Sequence, residues 1–206
     1  MPSKRPAASV SSPVRSVQRA PDGTPARRRL LRAAARLFYS EGIQSVGVDR
    51  LVAEAEVTKA TFYRHFPSKD DLVRAYIQER DQEARATADT LIEQVSDPSN
   101  VIAALATQVS YQVCTPDFRG CAFIGAAVEY PDPGHPVRLA VAEHRRWFRT
   151  LLTRLLSETG HPQPEAAAQT LVLLRDGAMM GGYLDDPAAT TAALRTAIDH
   201  LLLADR

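Results

Sequence analysis

Apolar residues recur along this chain at intervals of three and four, the spacing that gathers them on one face of a helix. Leu30, Ala34, Leu37 and Phe38 make the first such stripe, over residues 27–41, and Gly42 stops it. Val48, Leu51, Val52 and Ala55 make a second, short stripe, with Asp49 near its start to suit the helix dipole. Thr58 is placed to cap a third helix over 59–65. Pro67 ends it and pushes Phe66 out of helical backbone. Ser68 caps a fourth, with Asp70 and Asp71 in its first turn, which runs to about residue 95 and carries Leu72, Val73, Tyr76 and Ile77.

The pattern stays helical beyond that point. One helix is expected over 101–113 and another over 118–130, weakened by Gly120 and Gly125. Pro131-Asp132-Pro133-Gly134 is a break. Pro136 opens a long helix to about 159, and Gly160-His161-Pro162 closes it. Pro164 opens the next, towards Gly181-Gly182, and Asp186-Pro187 opens the last, ending near 203. No strand alternation competes, so the fold is all-α with about nine helices, and no internal repeat is evident. Residues 1–26 break the pattern. Pro6, Pro13, Pro21 and Pro25 among Ser, Ala and Arg give a stretch that buries little, expected to be a disordered basic arm.

Length and composition narrow this picture. The 206 residues allow one or two domains, and 45% apolar residues suffice for a core. The net charge of +1 hides an asymmetry: residues 1–80 carry 15 basic and 8 acidic side chains, residues 81–206 carry 10 and 16. The first part suits a polyanion and the second repels one. No run is apolar enough for a membrane span or a secretion signal, so a cytoplasmic protein is expected.

Two short helices meeting at a turn near 55–58, backed by a third over 28–40, form the tri-helical arrangement that sets one helix into a DNA major groove. The second of the pair is the reader. Lys59 and Thr61 are its best-placed base contacts, with Thr58 at its start. Tyr63, His65 and Lys69 suit phosphate clamping, and Arg50 on the preceding helix reaches for backbone or a base. Arg64 belongs to the same polar set with no assigned partner.

Other chemistry finds little support. His135, His144 and His161 are scattered, and Cys114 and Cys121, seven apart, make neither a zinc pattern nor a disulfide framework. No metal, cofactor or catalytic group is expected, and no nucleotide-binding glycine motif is present.

The block Ala34-Ala35-Arg36-Leu37-Phe38, then Gly42, then Ala55-Glu56-Val57-Thr58-Lys59-Ala60-Thr61-Phe62-Tyr63-Arg64-His65-Phe66 and Lys69 resembles the N-terminal signature of the TetR-type transcriptional regulators. The resemblance covers about residues 27–77. Three positions depart from it. Glu56 stands where the turn usually has Gly, Ala60 replaces a second Gly, and Val46-Gly47 stand where Thr or Ser commonly caps the helix and meets a phosphate.

The resemblance implies a reading domain over 27–72 and an effector-binding, dimer-forming bundle over 73–206. It implies a ligand-responsive repressor of the bacterial cytoplasm that binds a palindromic double-stranded DNA operator as a homodimer and is released by a small-molecule effector. Cavity wall is expected from Tyr111, Cys114, Phe118, Cys121, Tyr130, Trp147, Leu151, Met179, Met180 and Tyr183. The dimer face is expected from Leu171, Leu174 and Ala178 with Leu194, Ile198, Leu201 and Leu202 on the last helix. Glu56 and Gly47 keep an alternative open: a helical dimer that binds small molecules with weakened or no specific DNA binding.

Overall fold

The computed structural model describes residues 24–203, and among these every regular element is helical. The order is α1 (Pro25–Glu41), α2 (Val48–Glu54), α3 (Lys59–His65), α4 (Lys69–Gln94), α5 (Pro98–Val113), α6 (Ala122–Glu129), α7 (Pro136–Glu158), α8 (Pro164–Leu184) and α9 (Pro187–Leu203). Five of these open on proline, whose missing N–H costs nothing in a first turn. Of the other four, α3 and α4 open on side-chain caps. Thr58 accepts from the Thr61 amide at 3.1 Å, and Ser68 from the Asp71 amide at 3.1 Å. Most of the expected arm lies outside the described residues, but its end does not: Thr24 caps α1, accepting from the Arg27 amide.

Two boundaries differ from expectation for identifiable reasons. Residues 118–121 are not helical, and α6 starts at Ala122, because Gly120 takes the left-handed backbone (φ +84°) that only glycine adopts cheaply. α8 runs through Gly181 and Gly182 to Leu184 instead of stopping there. At Gly182 the absent side chain lets α8 lie against α5, since a Cβ would overlap Val113.

Two apolar cores organise the bundle. One joins α1, α2 and α3 to the first half of α4, α6 and the start of α7, through Leu30, Leu37, Phe62, Ile77, Phe123 and Val137. The other fills the far end, among α5, α7, α8 and α9, through Ile102, Leu155, Leu171 and Ile198. α4 is continuous between them. Its first turns pack under the α1–α3 head, and its later turns wall the bundle.

Candidate nucleic-acid interface and its companion cavity

The turn between α2 and α3 carries one strained residue. Glu56 sits at φ +51°, the conformation the turn demands and a non-glycine residue resists. Arg29 of α1 steadies it, donating from Nε to the Ala55 carbonyl at 2.9 Å. Gly47 stands at the start of α2 with no side-chain cap, as its sequence position implies.

α3 turns Lys59, Ala60, Tyr63 and Arg64 outward and buries Phe62. Lys59 Nζ lies 2.6 Å from Asp49 on α2, a bond that raises the lysine pKa. Thr58 and Thr61 bond to each other through their hydroxyls at 3.0 Å. Tyr63 is half exposed and packs edge-on against Phe62. Arg50 is exposed beside Glu41 at 3.6 Å. Lys69 opens α4 half-buried, and burial lowers its pKa.

His65 is the exception within the set. It turns in toward the start of α1, with Nε2 3.5 Å from Thr24 Oγ1 and Nδ1 buried without a partner among the described residues. Burial, then the charges of Arg64 and Arg27, push its pKa down. A neutral, inward ring braces α1 against α3 and is a poor phosphate clamp. Arg64, left without a role in the sequence, is exposed on the outer face and is the better cation.

Three joints tie this head to the bundle. The Glu129 carboxylate accepts from the amides of Ile43 at 2.9 Å and Gln44 at 2.6 Å. Asp70 accepts from the Tyr130 hydroxyl at 2.7 Å and meets His135 Nε2 at 3.3 Å. Burial, then Asp70, raises the Tyr130 pKa. Tyr39, on the last turn of α1, donates to the Gly120 carbonyl at 3.0 Å and accepts from the Arg119 amide at 2.9 Å.

Behind Tyr39 lies a cavity of about 430 Å³. α1 contributes Ala35 and Tyr39, α4 Tyr76, Arg80, Glu83, Ala84 and Thr87, and α5 Leu105, Gln108 and Gln112. Phe123 of α6, His144, Trp147 and Phe148 of α7, and Arg175 and Met179 of α8 complete it with the 118–122 segment. His144 is buried against Asp81, its Nδ1 2.8 Å from the carboxylate, and desolvation pushes its pKa down to about 4. Burial raises the Tyr76 pKa to about 12.

Of the expected wall residues, Phe118, Cys121, Trp147 and Met179 line this cavity. The others do not. Tyr111 and Cys114 are exposed at the end of α5, Met180 is exposed on the outside of α8, and Leu151 lies in the far core. Tyr130 serves the Asp70 joint, and Tyr183 lines a separate cleft of about 260 Å³ between head and bundle. The sequence missed Arg80, His144 and Arg175. The signal available was a stripe on α4, Tyr76, Arg80, Ala84 and Thr87, spaced as one helix face.

Of the expected dimer residues, four are buried within the protomer and three are only partly covered there. Leu171, Ala178, Leu194 and Ile198 are buried between α8 and its neighbours, and Leu174, Leu201 and Leu202 pack against the same core. The exposed large apolar residues of α8 are Leu173, Met180, Tyr183 and Leu184. Among the described residues no cluster of His, Cys, Asp and Glu is arranged to hold a metal, and no helix is long and apolar enough to cross a membrane.

Comparison with known proteins agrees with this geometry. Residues 30–76 match the family described as bacterial regulatory proteins, tetR family. The chain is 27% identical over 177 residues to the HTH-type transcriptional regulator LmrA of Bacillus subtilis, covering 85% of this chain and 92% of that protein. It is 26% identical over 164 residues to the HTH-type transcriptional repressor DhaR of a Mycobacterium species, covering 76% and 82%. The crystal structure of SCO4454, a TetR-family transcriptional regulator from Streptomyces coelicolor, superposes with a TM-score of 0.85 at 44% identity, over 88% of this chain and 96% of that one. A likeness of that extent, with a helix-turn-helix of this form at one end of the bundle, means that the chain belongs to the TetR family of transcriptional regulators.

Proposed function

We propose that the protein is a homodimeric repressor that holds two α3 helices on a palindromic operator and lets go when a small molecule fills the 430 Å³ cavity. Residues 27–72 do the reading, and 73–206 bind effector and partner. Thr58, Lys59 and Thr61 face base edges, while Tyr63, Arg64, Lys69 and Arg50 hold phosphates. A cytoplasmic location follows from this role.

One observation carries the coupling. α1 and α4, the helices that carry the reading head, are also walls of the cavity. Tyr39, which lines it, bonds the 119–120 backbone through its hydroxyl. A ligand that displaces this segment pulls on α1 directly, and one that spreads α4 tilts the head. The effector must bind the released arrangement more tightly than the reading one.

The outward face of α8, with Leu173 and Leu184 more than 60% exposed beside Gly177 and Met180, supports isologous pairing into a four-helix interface. Leu173→Glu with Leu184→Glu is expected to give monomers in sedimentation and to abolish operator binding with helicity intact. A double variant that remained dimeric would move the interface elsewhere.

The main test is selection of sites from random duplexes, with salt varied. A palindromic enriched site is expected, and salt-sensitive binding without enrichment would overturn the proposal. Lys59→Ala should then weaken specific binding more than nonspecific binding, whereas Lys69→Ala should weaken both and flatten the salt slope. Tyr39→Phe should keep operator affinity and raise the effector concentration needed for release.

A further inference from the structure

Asp176 of α8 stands between two guanidiniums. Arg175 Nη1 meets one of its carboxylate oxygens at 2.9 Å, and Arg145 Nη1 of α7 meets the other at 2.6 Å. Arg175 lines the cavity, whereas Asp176 and Arg145 lie behind the wall. The other charges there are matched one to one. Arg80 pairs with Glu83 along α4, both partly exposed. Arg85, placed over the Trp147 ring at 4.5 Å, pairs with Asp81 at 2.7 Å. His144 takes the remaining Asp81 oxygen, and burial pushes its pKa down to about 4, so it adds no charge at pH 7. One positive charge is left over, and it belongs to the Arg145–Asp176–Arg175 cluster.

The two arginines of that cluster are not equally hydrated. Arg145 keeps 39% of its side chain exposed, Arg175 only 17%. A guanidinium taken out of water needs counter-charge and acceptors in its place. Arg175 has a shared carboxylate and the Cys121 sulfur at 3.3 Å, a weak acceptor, both on Nη1. The Phe148 ring lies 6.0 Å from its Cζ. Its Nε and Nη2 have no hydrogen-bond partner among the described residues, and neither is fully buried. Arg80 Nε, by contrast, is sealed in protein. Nε and Nη2 form one edge of the guanidinium, with parallel N–H groups spaced for the two oxygens of a carboxylate. Much of the remaining wall is apolar, with Ala84, Leu105, Phe118, Phe123 and Met179.

We propose that the cavity takes an organic monoanion, a carboxylate on an apolar body, and that Arg175 receives the carboxylate on its Nε–Nη2 edge. This rests on the reading of the cavity as the effector site.

The test uses the full chain and three probes with one flexible body. At pH 7 octanoate is an anion, octanamide is neutral and octylammonium is a cation. A flexible chain adapts to an irregular wall, so the head group decides the ranking. The chain has a single tryptophan, and Trp147 lies in the wall, so its fluorescence reports occupancy, with calorimetry as a second readout. Octanoate is expected to bind about tenfold more tightly than octanamide, with octylammonium weakest.

Three variants test the charge count. Arg175→Gln removes the receiving edge, while Arg145 still pairs with Asp176, and should erase the preference for octanoate. Arg145→Gln does not touch the cavity but leaves Asp176 to Arg175 alone, and should weaken octanoate roughly three- to tenfold. Asp176→Asn adds to the surplus and should tighten octanoate. Octanamide should bind all three variants as it binds the parent, which shows the cavity intact.

Octanamide or octylammonium binding as tightly as octanoate, binding by none of the three, or a preference that survives Arg175→Gln would overturn the proposal. So would octanoate affinity that does not fall in Arg145→Gln. Operator release separates the proposal from the effector reading. If octanoate binds as expected and leaves DNA affinity unchanged, the ligand class stands and the effector reading fails. If octanamide binds as well as octanoate and both release DNA, the class fails and the effector site stands.

Discussion

Lys59, the first residue of the reading helix, lies 2.6 Å from Asp49 on the helix before it. Both side chains are exposed, so the carboxylate competes with a DNA phosphate for the same ammonium. Asp49→Asn removes that competitor and one negative charge from the face. Operator affinity should rise roughly three- to tenfold at low salt, with the gain shrinking as salt is raised. Fluorescence anisotropy on a selected duplex measures it. A loss of affinity would show instead that Asp49 positions Lys59 for its contact.

Glu56 holds left-handed backbone that a side chain resists, at φ +51°. Glu56→Gly should stabilise the protein by about 1 kcal/mol, the cost of a non-glycine residue in that region. Glu56→Ala separates strain from charge, because it removes the carboxylate and keeps the Cβ. Urea unfolding of both variants decides between them: equal stabilisation would make charge the cause, and stabilisation of the glycine variant alone would make it backbone strain.

The helix order was legible in the sequence because chain ends are marked by local chemistry. Thr58, Ser68, Pro136, Pro164 and Pro187 each stand at the start of a helix and act through neighbours within three residues. The head was legible for the same reason, as Phe62 and Leu51 bury on a short local pattern. The 118–121 segment was not, since the helix expected over 118–130 includes it and only the left-handed backbone of Gly120 sets it apart. α8 is apolar on more than one side, so periodicity alone could not separate Leu171, which faces the protomer core, from Leu173, which faces outward. The cavity was hidden for a related reason. Arg80, Glu83 and Thr87 look like an ordinary solvated face, and only the packing of α5, α7 and α8 against α4 turns that face into a wall.

His144 makes stability depend on pH. Its pKa falls from 6.5 in the unfolded chain to about 4 when buried against Phe123, with Asp81 opposing that shift and Arg175 and Arg85 adding to it. Between those values the unfolded chain binds a proton that the folded chain refuses. The contribution is complete above pH 6.5 and is lost as pH falls toward 4. From pH 7 to pH 5 the loss is about 2 kcal/mol. In His144→Gln, which keeps an amide for Asp81 and does not titrate, denaturant unfolding at the two pH values should show a correspondingly smaller loss. Parallel pH dependence in variant and parent would assign the effect to other groups.

Gly182 and Val113 fix the distance between α8 and α5. Val113 is 1% exposed, and a Cβ at 182 would overlap its side chain. Gly182→Ala improves intrinsic helix propensity by about 1 kcal/mol, so a neutral or stabilising effect is what a loosely packed site would give. Here overpacking opposes it, and a net destabilisation of roughly 1–3 kcal/mol is expected. Val113→Ala alone is also destabilising, because it opens a cavity in the core. Combined, the two changes place one methyl in the space that two methyls leave. The double variant should therefore be more stable than the sum of the single losses predicts, by at least about 1 kcal/mol in a double-mutant cycle. Additive losses would mean that α8 shifts as a body to admit the new methyl. The Met179 and Arg175 wall, which rides on the same helix, would shift with it, and ligand affinity would then change in Gly182→Ala as well.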